Sequence, residues 1–223
     1  VTVINNTYGF IFIHVPKNAG TTMTHYLSQF THWNDLEIGG TPFGEQLVRL
    51  YGPRFKIAKH TRAERLREII GPAAWQGMFT FGLVRHPLPR SYSTYRFLQR
   101  WRDWRGSEIM DGFPTFESFV TSRFFLQQHG PDDMFRGQCH WLCDADGALL
   151  VDHVGRVEAL GETIDRLHTH VGAAAAEMTL PRRNASAPAD EFLNMATPLA
   201  RRLITLKYQR DFATFGYEPG DLG

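Results

Sequence analysis

Two stretches carry residue types that can hold an anion. In "FIFIHVPKNAGTT" an apolar run ends in a turn of Lys17, Asn18, Ala19 and Gly20, and Thr21 and Thr22 open an amphipathic helix. A strand–turn–helix of this kind aims backbone N–H groups at a phosphate, and the helix dipole favours the negative charge. Gly20 permits close backbone approach, the two threonines add hydroxyl donors, and Lys17 adds a point charge. The order is unusual. Nucleoside triphosphate loops place their lysine after the last glycine, whereas Lys17 comes before it. In "FGLVRHPLPRS" a second apolar run ends at Arg85, and Arg90 and Ser93 follow at the start of a helix. Arginine, hydroxyl and helix N-terminus together make a second anion site.

The second stretch also has a ligand-free explanation, with Arg85 paired to a carboxylate and Arg90 on the surface. His60, in "AKHT", is the candidate general base, because imidazole titrates near neutral pH. Its competitors are His14, which reads as a core histidine, His86, which reads as shaping a turn, and the acidic residues Glu45 and Asp103. For an acceptor, "RFLQRWRDWRG" interleaves Trp101 and Trp104 with Arg100, Arg102 and Arg105. Indole faces stack on sugar rings and arginines pair with carboxylates or sulfates. A helix end that buries its tryptophans would produce the same pattern. Trp33 is a further candidate wall.

The elements that must position these groups alternate strand and helix. Strands are expected at 10–15, 55–58 and 79–84. Helices are expected at 21–30, 61–70, 90–101, 115–127 and 158–171, and from Thr197-Pro198 to about 212. Thr61 and Glu64 read as a capping box. Residues 31–54 read as loop with a short helix at 45–50, residues 139–158 as a hairpin around Asp146-Gly147, and 179–190 as loop. The pattern implies one α/β domain over residues 1–223, a central parallel sheet flanked by helices with a P-loop-like core and a small hairpin. Ligands of such sheets bind outside the strand carboxyl ends. Lys17, His60 and Arg85 then converge on one crevice.

Bulk properties exclude several classes. The chain has 223 residues and a formal net charge of +1, which argues against a nucleic-acid-coating surface. No apolar run approaches the ~20 residues of a membrane span, and "VTVINNTYGF" lacks the pattern of a signal peptide. The two cysteines, Cys139 and Cys143, are too few and too badly spaced for a disulfide framework or zinc site and read as plain thiols.

A site for two phosphates, without carboxylates for a metal, suits adenosine 3′-phosphate 5′-phosphosulfate (PAPS). "FIFIHVPKNAGTT" resembles the 5′-phosphosulfate loop of PAPS-dependent sulfotransferases, and "FGLVRHPLPRSYSTY" resembles their 3′-phosphate motif. The likeness is greatest to the carbohydrate branch, which includes heparan and chondroitin sulfotransferases and bacterial relatives. "KHTRAERLREIIG", "VDHVGRVEAL", "LPRRNAS" and "YQRDFATFGY" extend the resemblance over roughly residues 10 to 217. One departure is Asn18-Ala19-Gly20, where many relatives carry two small residues after the lysine.

The resemblance implies sulfuryl transfer from PAPS to a hydroxyl of a small-molecule or glycan acceptor, leaving adenosine 3′,5′-bisphosphate, with no metal required. It assigns Lys17 and His60 to catalysis. Residues 17–22 fall to the 5′-phosphosulfate, Arg85 and Ser93 to the 3′-phosphate, and Arg182 and Arg183 to the nucleotide. It also implies a bacterial-type cytoplasmic enzyme, or a Golgi luminal domain trimmed of its anchor. Two other readings stay open: a metal-dependent small-molecule kinase with an atypical loop, and a non-catalytic nucleotide-binding protein on the same fold. The kinase would need an aspartate for Mg²⁺ near a strand end, where Arg85 stands instead.

Overall fold

The computed structural model describes residues 1–172 and 196–220. The expected 179–190 loop, with Arg182 and Arg183, lies outside the described residues. In chain order the chain begins with β1 (Thr2–Asn5), β2 (Phe10–Ile13), α1 (Gly20–Leu27), β3 (Leu36–Ile38) and α2 (Pro42–Phe55). There follow α3 (Ala63–Ile70), α4 (Pro72–Gln76), β4 (Phe79–Val84), α5 (Pro87–Arg100), α6 (Phe116–Val120) and α7 (Arg123–Gln127). The chain continues with α8 (Cys139–Leu142), β5 (His153–Arg156), α9 (Leu160–Val171), α10 (Pro198–Lys207) and α11 (Gln209–Phe215). No described helix is long and apolar enough to cross a membrane.

The residues group into two compact units. One joins Val1–Val84 to the described residues 138–172; the other joins Arg85–Gly137 to the C-terminal helices. The first holds a five-stranded sheet in the order β3-β1-β2-β4-β5. β2, β4 and β5 are mutually parallel, and β1 runs antiparallel to β2 and β3. The sheet is therefore mixed α/β, parallel in its centre. The carboxyl ends of β2, β3, β4 and β5 share one edge with the start of β1. On one face, Val1, Val3, Phe10, Phe12, Phe81 and Leu83 pack against Met23, Tyr26 and Leu27 of α1 and Ile164 and Leu167 of α9. Each such side chain contributes ~1.5–3 kcal/mol on full burial. On the other face Leu142 fills the space that a side chain at Gly82 would need.

Several expectations change. β1 and β3 are strands in stretches that carry no clear alternating run. The strand expected at 55–58 does not form, because α2 runs through to Phe55. Thr41 caps α2 by accepting from Gly44 N at 3.0 Å, and Lys56 ends it in left-handed backbone. Thr61 and Glu64 make no capping box: Arg62 is the N-cap, Thr61 Oγ1 bonds Ala58, and Glu64 pairs with Arg62 at 3.0 Å. The 115–127 helix breaks into α6 and α7, because Ser122 caps a new start by accepting from Phe125 N. The 139–158 hairpin reduces to a single bridge, Cys143 to Leu149. Its first arm is α8, and its second, β5, joins the main sheet. Both cysteines are buried thiols outside any disulfide.

The second unit is helical. α5 packs against α10, and α10 against α6. Phe116, Phe119, Phe125 and Phe135 are fully buried among them. Thr197 caps α10 by accepting from Ala200 N, with Pro198 in the first turn, as the sequence implies.

Candidate active site

β2 leads directly into the turn at 14–19. Lys17 has φ 69 and Ala19 φ 54, with Asn18 between them outside the positive-φ region. Alternation of this kind gathers successive N–H groups into an anion-binding concavity. Left-handed backbone costs a non-glycine residue ~1–3 kcal/mol and persists only where the surroundings enforce it. Asn18 supplies the bracing. Its buried Nδ2 donates to Leu83 O at 2.7 Å and to Gln138 Oε1 at 2.7 Å. The Asn18 side chain thus clips the loop to β4. α1 begins at Gly20 and has no acidic residue in its first turn. Thr21 is exposed, Thr22 buried, and Lys17 half-buried.

Gly20 has a second reason to be glycine. The His14 ring occupies the place of its missing side chain: a Cβ there would lie 1.7 Å from His14 Nε2. Gly20→Ala must displace a buried ring. It is expected to lose ~1–3 kcal/mol of stability, as overpacked cores do. The measurement is a urea midpoint, and a midpoint equal to the parent's would overturn the packing argument.

His60 is not at a strand end. It lies in the connection between α2 and α3, tethered to β1 where Thr2 Oγ1 donates to Ala58 O at 3.0 Å and Lys59 O at 3.2 Å. The tether still brings His60 to the carboxyl edge of β2. Its ring lies 4.3 Å from that of His14, and its Nδ1 donates to His14 O at 2.9 Å. Burial pushes His14 well below its ordinary pKa, and the charges of Lys59 and Lys17 act in the same direction. Burial pushes His60 down to about 3, against the opposing effect of its bond to the His14 carbonyl.

Both rings are therefore neutral in the fold, whereas the unfolded chain protonates them below about 6.5. Unfolding takes up protons in that range. The stability due to the neutral rings is present above about 6.5 and is lost as pH falls, by up to ~1.4 kcal/mol per pH unit for each ring. A urea midpoint unchanged from pH 7 to pH 5 would contradict this. On the same edge Glu45 Oε1 accepts from Gly40 N at 3.0 Å.

Arg85 follows β4 directly and is buried. α5 starts at Pro87, earlier than expected, so half-buried Ser93 falls in its second turn rather than its first. Arg90 is neither on the surface nor available to an anion. Its guanidinium is buried, donates to Arg136 O at 2.9 Å and Met134 O at 3.2 Å, and lies over the Tyr208 ring. His86 shapes the turn: Nδ1 accepts from Leu88 N at 3.2 Å and Nε2 donates to Glu218 O at 3.0 Å.

Trp101 and Trp104 line an open cleft of about 650 Å³ in the helical unit, with Arg105, Phe124 and His129. Trp104 stacks in parallel on Phe124 and donates Nε1–H to Trp101 O at 3.0 Å, so its plane is fixed. Trp33 is 97% exposed on a turn braced by Asp35, which accepts from Thr7 N and His32 N. That turn precedes β3 and lies at the amino end of β2, the edge opposite the Lys17 loop. Trp33 therefore has no place in a site at the strand carboxyl ends. The seat of His14 on Gly20 and the Gln138 clip have no signal in the sequence beyond His14's position just ahead of the loop.

A family model described as "Sulfotransferase family" matches residues 2–218. No curated protein and no solved structure matches the chain.

Proposed function

The chain belongs to the sulfotransferase family, and from that premise we propose that it transfers the sulfuryl group of PAPS to a hydroxyl of a carbohydrate or glycan-like acceptor. The reaction is an in-line displacement. The acceptor oxygen bonds sulfur as the bond from sulfur to the phosphate oxygen breaks, and adenosine 3′,5′-bisphosphate leaves. The acceptor proton passes to His60 Nε2. Lys17 meets the charge that develops on the bridging oxygen. The N–H groups of residues 18–22 and the threonine hydroxyls take the 5′-phosphate. Arg85 and Ser93 are assigned to the 3′-phosphate on their motif, as are Arg182 and Arg183 to the nucleotide. The transferred group carries one negative charge rather than that of a triphosphate, so the reading needs no metal. Trp101 and Trp104, with Arg105, are proposed for the acceptor on their residue types alone: indole faces stack on sugar rings and arginine pairs with an acidic substituent.

The observation that carries this reading is the strained Lys17–Ala19 loop ahead of an acid-free helix start, with a neutral imidazole, His60, at the same sheet edge. Calorimetry with adenosine 3′,5′-bisphosphate beside ATP·Mg²⁺ tests it. Binding of the first and not the second is expected, and the reverse preference would replace the reading with a kinase. A screen of acceptors with labelled PAPS then tests catalysis, and binding without transfer to any hydroxyl would leave a nucleotide-binding protein.

A further inference from the structure

We propose that His14 is the positioning residue for His60, fixing both its tautomer and the plane of its ring; the proposal rests on the reading of His60 as the base. A carbonyl oxygen only accepts, so the 2.9 Å contact between His60 Nδ1 and His14 O obliges Nδ1 to carry the proton. The neutral ring then keeps its lone pair on Nε2, and Nε2 has no hydrogen-bond partner among the described residues. A general base needs its lone pair on the nitrogen that faces the reacting hydroxyl. The same carbonyl stabilises the imidazolium that forms when the acceptor proton arrives.

The ring of His14 does the second part. It is buried against the His60 ring at 4.3 Å, the Phe12 ring at 6.1 Å and nearly parallel, and the backbone of Gly20, and its Nδ1 meets Val1 N. It is a wedge between the phosphate loop and the base. One residue at the end of β2 thereby sets the position of His60 relative to the loop that holds Lys17. Glycine at position 20 is what leaves room for the wedge.

The test uses ¹⁵N-imidazole spectra of the whole protein at neutral pH, together with steady-state kinetics. The parent is expected to show His60 with a proton-bearing Nδ1 and a bare Nε2. His14→Ala keeps the carbonyl but removes the wedge. It is expected to leave the His60 proton on Nδ1, because the carbonyl remains, and to lower kcat by as much as the ~10²-fold that misplacement can produce. The Kd for adenosine 3′,5′-bisphosphate should stay that of the parent. Parent-like kcat in His14→Ala, or a proton on Nε2 of His60 in the parent, would overturn the proposal. If His14→Ala does not fold, the parent spectrum decides: a proton on Nε2 overturns the proposal, and a proton on Nδ1 supports it. Failure of the base reading is separate, because it would show as full turnover in a His60 variant whatever the tautomer.

Discussion

Lys17→Ala is expected to lower kcat by ~10²–10³-fold, the range for loss of one donor to a developing oxyanion. The nucleotide carries its phosphates whether or not reaction occurs, and on the proposed reading the loop N–H groups hold them in both states. The bridging oxygen gains its charge only as sulfur departs, so a cation beside it contributes more in the transition state than in the ground state. The placement of the lysine follows from this. Lys17 stands in the turn, ahead of its glycine and in left-handed backbone at φ 69, whereas a triphosphate loop carries its lysine at the head of the helix. Lys17→Ala should therefore show a large fall in kcat and a smaller rise in the Kd of adenosine 3′,5′-bisphosphate. An equal loss in both would make Lys17 a binding residue. An unchanged kcat would remove it from the mechanism.

Sequence reveals the parts of this site whose geometry is local. The 79–84 strand appears with the bounds expected, because a continuous apolar run between turn signals has few alternatives. The turn at 17–20 between β2 and α1 is legible for the same reason. The site's cross-chain partners are not legible. Asn18 looks like a polar loop residue until Leu83 and Gln138 are found to hold it, and Gln138 is 120 residues away. His14 alternates in a strand as a core histidine would, and it is buried as one. Nothing local says that its ring rests on Gly20.

His60 was expected at the end of a strand that does not exist. It reaches the edge of the sheet through Thr2, in a strand that the sequence did not reveal. Arg90 fails in the opposite direction. Its spacing from Arg85 invites an anion, but its burial against two carbonyls makes it part of the helical core. Local spacing identifies a residue type at a place along the chain, and long-range hydrogen bonds decide what that residue can touch.

His60→Ala is expected to lower turnover by ~10²–10⁴-fold, the range for a positioned general base. The pH profile separates this role from a structural one. In the free protein His60 is held down to about 3 by burial, so its base form is present throughout the neutral range. The profile of kcat/KM should then show no acid limb near the ordinary imidazole pKa of about 6.5. On the proposed reading PAPS brings several negative charges to the loop beside the two rings, and nearby negative charge favours the imidazolium. In the ternary complex the pKa rises, so the acid limb of kcat should lie at higher pH than that of kcat/KM. His60→Ala abolishes the kcat limb along with most of the rate. A variant that keeps the parent rate would transfer the base role to another group on the same edge. Glu45 is then the first to test, because its carboxylate already bonds Gly40 N there. Low turnover with the kcat limb intact would mean that His60 supports the site without taking the proton.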